Sequence, residues 1–149
     1  MHLTKNQKTT LILAIFFALV GIFVVIMSLM FIQAFRKYMR PIFIPTSITF
    51  FLLGLALTIL AVKEKDKKFL ILTGGSSVGF FVSVLLHNLF YGLATITTHI
   101  SVLSYLMEVV HMIFFIIGIF VCPVGFLVGV VGNIILLIKK KKKRLTSQV

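Results

Sequence analysis

Four apolar runs, 10–34, 42–62, 69–94 and 106–138, occupy most of this chain and leave little room for any other architecture. Each reaches the ~20 residues a helix needs to cross a hydrocarbon layer of about 30 Å. Inside that layer no water is present to satisfy backbone N–H and C=O groups, so an isolated run must close its hydrogen bonds within itself, as a helix. The runs therefore predict an all-α integral membrane protein with four transmembrane helices. The composition agrees: 60% of residues are hydrophobic and the mean hydropathy is +1.17, richer than a soluble core requires. The fourth run, about 50 Å long at 1.5 Å per residue, exceeds one bilayer crossing. It is expected to kink, tilt or project, with Pro123, Gly118 and Gly125 supplying the kink.

The connections between runs are short, so sequential helices must lie antiparallel, as an up-down-up-down bundle. Residues 1–149 then form a single membrane domain with a basic tail at 139–149. Charge sets the expected orientation. Of the 15 basic residues, all but Arg36, Lys37 and Arg40 fall at the N-terminus, in the turn 63–68 or in the tail, which places both termini in the cytoplasm under the positive-inside rule. The first run is longer than a signal-peptide core and lacks an A-x-A site, so it is expected to be retained as a span. Lys139, Lys140, Lys141, Lys142, Lys143 and Arg144 predict attraction to anionic lipid at the cytoplasmic face, in preference to nucleic acid. The single cysteine, Cys122, excludes an intrachain disulfide.

Small residues recur at three- and four-residue spacing on each helix, marking faces for close approach. The clearest stripe runs Glu108, His111, Phe115, Gly118, Cys122, Gly125, Gly129 and Gly132. From Gly118 down, these residues are expected to pack helices. The third helix offers Ser76, Gly79, Ser83, His87, Tyr91 and Ala94. The second offers Ser47, Gly54, Thr58 and Ala61, and the first Ala14, Ala18, Gly21 and Ser28. The pair Gly74-Gly75 predicts either tight packing or a local break.

Polar chemistry concentrates at the outer end. His87, Glu108 and His111, with His99 in the intervening loop, carry the donors of a mononuclear divalent-metal site such as zinc, because residues three apart share a helical face. The same residues also suit a pH sensor, since histidine changes charge between about pH 5 and 8. A plainer reading pairs Glu108 and His111 with each other or with Arg36, Lys37 or Arg40 at a wet interface, with Tyr91 and Tyr105 as interfacial anchors. No G-x-S-x-G, H-E-x-x-H, C-x-x-C or phosphate-binding loop occurs, so no catalytic residue and no organic cofactor are expected. The chain reads as an accessory or scaffolding subunit, working with a membrane-protein partner or a second copy of itself. The alternative is a transporter-like or metal- or pH-responsive protein, with a path lined by Thr58, Thr73, Ser76, Ser77, Ser83 and Asn133.

Overall fold

The computed structural model describes residues 4–31, 36–62 and 68–146, except for the side chains at 5, 27, 29–31, 36–44 and 144. The described residues are all-helical, without strands: α1 (Lys5–Phe31), α2 (Arg36–Val62), α3 (Lys68–Ile96), α4 (Ser101–Ile116), a π-helical turn (Ile117–Val121) and α5 (Cys122–Thr146). Four stretches are long and apolar enough to span a membrane: Asn6–Ile26, Pro45–Val62, Lys68–Ile96 and Ser101–Lys143, the last formed by α4, the π turn and α5 together. The chain is a multi-pass, helical membrane protein by length and composition.

Local chemistry fixes the helix ends. At the start of α1, the Thr4 amide donates to Gln7 Oε1 at 3.0 Å, while the Gln7 amide points back to Thr4 Oγ1 at 3.4 Å. That reciprocal pair satisfies amides with no partner inside the helix. The connection after α3 is shorter than the expected 95–105. It spans only residues 97–100, closed by Ile100 N–H to Thr97 O at 2.8 Å. α3 runs on to Ile96 and α4 begins at Ser101. Ser104 Oγ then donates to the free carbonyl of Ala94 at 3.1 Å, tying α4 onto the end of α3.

α3 is the centre of the bundle, in contact with α2, α4 and α5. One of its faces meets the π turn and α5 through a row of paired residues, small on at least one side: Gly118 with Ser83, Cys122 with Gly79, Gly125 with Ser76, Gly129 with Thr73 and Gly132 with Phe69. The partners run in opposite order along the two chains, a seam in which glycine lets the backbones close. The other face of α3 meets α2, where Gly54 and Thr58 sit against Gly74 and Ser77. A methyl group on Gly74 would lie 2.7 Å from the Gly54 carbonyl oxygen, whereas one on Gly75 would touch nothing. The helix continues through both glycines, so neither makes a break, and only Gly74 serves close packing.

α1 differs from the expectation. Its small stripe, Ala14, Ala18, Gly21 and Ser28, faces outward. The inward face consists of Ile12, Phe16 and Leu19, each almost fully buried, continued by Phe23. Bulky side chains hold α1 away from α5, so close backbone approach is not used there. Phe23 and Phe126 meet with ring centroids 4.4 Å apart, and Phe50 packs 5.8 Å from Phe126, joining α1, α2 and α5 in an aromatic core. Beside these rings lies a small cavity of about 70 Å³.

The anticipated irregularity in the fourth run takes the form of the π turn. Cys122 N–H reaches back five residues to Ile117 O, just before Pro123. Proline has no N–H, and its ring clashes with the carbonyl four residues earlier, so a widened turn at this point lets the helix pass through proline unbroken.

Candidate functional site

Where α3 and α4 pair, below their connecting turn, two histidines come together. The rings of His87 (α3) and His111 (α4) lie 5.2 Å apart at 47°. His87 Nδ1 is 3.0 Å from the backbone oxygen of His111. A carbonyl can only accept, so Nδ1 carries the hydrogen, which leaves Nε2 of a neutral His87 with its lone pair available. His111 is half-buried, and its Nδ1 is enclosed without a hydrogen-bond partner. Phe115 stands 5.3 Å from the His87 ring and Tyr91 stands edge-on 5.6 Å from His111, so the pair sits in an aromatic frame. Phe90 and Phe114 stack beside it, 4° from parallel.

The carboxylate does not join this group by position. Glu108 is exposed, one turn above His111, and His99 is exposed in the connecting turn. Among the described residues, no three His, Cys, Asp or Glu side chains gather as a metal-binding group. The expected stripe therefore faces α3 from His111 downward and loses Glu108 to the exterior. The side chains of Arg36, Lys37 and Arg40, named as partners for Glu108, lie outside the described residues, as do 63–67.

Deeper in the bundle, the polar residues named for a path are mostly bonded to their own helices. Thr58 Oγ1 donates to Gly54 O at 2.8 Å, Thr73 Oγ1 to Phe69 O at 2.8 Å and Ser77 Oγ to Thr73 O at 2.9 Å. Asn133 Nδ2 donates to Gly129 O at 3.2 Å. Ser83 is buried against Gly118 across the seam. Bonding to the carbonyl four residues back satisfies a buried hydroxyl within its own helix.

A second concavity lies between the lower halves of α1 and α5, with a volume of about 460 Å³. Thr9, Ile12, Leu13 and Phe16 form its α1 wall, a stripe at helical spacing. Asn133, Leu136 and Leu137 form the α5 wall, Leu70 lies at its side, and Lys139, Lys140 and Lys143 stand at its lower end. The sequence grouped all the tail lysines together. Helical phase separates them, since positions 136, 140 and 143 share a face that 141 and 142 do not.

No protein-family model, curated protein or solved structure matches this chain.

Proposed function

We propose that this chain is a non-enzymatic accessory or scaffolding subunit of a membrane assembly, folded up-down-up-down with both termini in the cytoplasm. The observation that supports it best is how the interior polar groups are used. The buried side chains of Thr73, Ser77 and Asn133 bond to the backbone of their own helices, so they present no row of open ligands to a passing solute. α4 adds to this. It packs chiefly on α3 and has no fully buried residue, with Tyr105 70% and Met112 50% exposed. That leaves an uncovered helical face for a neighbouring membrane helix.

The test is a photo-crosslinking residue at Met112, on the open face of α4, beside one at Ser83 in the seam. In native membranes, Met112 is expected to give one discrete adduct, with a membrane protein or a second copy of the chain, and Ser83 only internal products. Lipid adducts alone at Met112, together with solute flux above background in proteoliposomes, would reverse the assignment in favour of a transporter.

The enclosed, unpartnered Nδ1 of His111 beside the His87 ring favours the metal- or pH-responsive reading as the second. In that case water, and a carboxylate swung in from Glu108, would complete a divalent-metal shell around the histidine nitrogens. Near-stoichiometric metal in the purified protein, lost in Glu108→Gln/His111→Ala, is the result this reading requires. Metal-free protein whose thermal stability is unmoved by the double substitution would leave the pair as packing.

A further inference from the structure

We propose that the cleft between α1 and α5 is a site for one anionic glycerophospholipid, with an acyl chain between the helices and its phosphate on Lys139, Lys140 and Lys143. The cleft is built like the ligand. Its lining is leucine, isoleucine and phenylalanine, of which Leu13, Leu136 and Leu137 are open to an entering chain while Ile12 and Phe16 are buried, and Lys139, Lys140 and Lys143 of a single face of α5 stand at its lower end. A concavity of about 460 Å³ lies within the range of small-molecule sites, roughly 300–1,000 Å³. The same surface of the bundle belongs to the stretches long and apolar enough to span the bilayer, so hydrocarbon chains are the medium around it.

The bulky inward face of α1 creates the opening. Phe23 meets Phe126 above, but below them no glycine draws α1 onto α5, and the helices stay apart. A dry gap there would forfeit dispersion contacts on both walls, and an inserted chain restores them. The charge at the lower end specifies the headgroup. Lys139, Lys140 and Lys143 line that end together, and in the headgroup layer a phosphate is the abundant anion. This deepens the expectation of lipid attraction by the tail, because it separates a specific chain-and-phosphate site from diffuse attraction of all the lysines.

The experiment is native mass spectrometry of the full chain in detergent with equimolar phosphatidylglycerol and phosphatidylcholine. One phosphatidylglycerol should be retained per chain. Lys140→Gln/Lys143→Gln should weaken retention about thirtyfold, while Lys141→Gln/Lys142→Gln, with the same net charge, should leave it unchanged. Leu137→Trp, which fills the cleft with every lysine intact, should also expel the lipid. Equal losses from the two lysine pairs would reduce the site to diffuse charge and overturn the proposal. So would equal retention of phosphatidylcholine, displacement by inorganic phosphate, or no adduct at all. The readout does not depend on which way the tail faces or on what α4 meets, so it can fail while the accessory reading survives, and the reverse.

Discussion

Gly129→Ala is expected to destabilise the protein by about 1–3 kcal/mol, read as a lowered unfolding midpoint in detergent or lipid. The added methyl group would meet Thr73, with its backbone nitrogen 2.8 Å away, and the Phe69 carbonyl oxygen at 3.0 Å. Neither backbone group can rotate aside, so α3 itself must move. Moving α3 disturbs the adjacent contacts of Gly125 with Ser76 and Gly132 with Phe69. Gly125→Ala should cost less, because its nearest obstacle is the Ser76 hydroxyl at 2.6 Å, the end of a rotatable side chain. Gly75→Ala should go the other way and stabilise by up to about 1 kcal/mol, the helix-propensity gain of alanine where nothing is touched. Equal effects at Gly129 and Gly75 would mean that the seam is not closely packed.

Phe126→Ala is the second large effect, a loss of about 2–4 kcal/mol in the same assay. Phe126 is 2% exposed, and its ring touches those of both Phe23 and Phe50. In water, part of such a loss would be the transfer of apolar surface. In lipid the surroundings are as apolar as the core, so that part disappears. What remains is dispersion lost across a void, and here the void would join the existing cavity of about 70 Å³. Phe120→Ala, at a position 61% exposed, should be close to neutral. If Phe120→Ala proved the more costly of the two, the aromatic core would not be the element that joins α1 to α5.

The sequence carried the seam because both of its sides are written in steps of three and four. The residues from Gly118 in the π turn to Gly132 in α5, and the α3 residues from Ser76 to His87, can each be read as one face without knowing the other. The α1 stripe is ambiguous for the opposite reason. Ala14, Ala18 and Gly21 suit either a close contact or a lipid-facing surface, and only the size of the neighbouring side chains decides which. Glu108 has the spacing to join His111, but α4 packs chiefly on α3, and a residue one turn nearer its start has no second helix to hold it inward. The π turn had a visible marker in Pro123, though a single proline does not distinguish a kink from a widened turn. The cleft had no marker, since it depends on how far α1 and α5 diverge, a distance that neither helix encodes alone.

The π turn also carries a spare residue within the fourth run. A turn closed five residues back holds one residue more than an α-helical turn, so deleting one residue from 117–121 is expected to leave regular α-helix with the flanking faces near their present phase, whereas deleting one from 112–116 would rotate everything beyond it by about 100°. In that second case His111 would swing off His87 and Ser104 off Ala94, while every contact from Cys122 to Gly132 could stay in register. The turn is therefore an expansion joint, the one place in the fourth run where a residue can be lost and the histidine end still stay in step with the glycine seam.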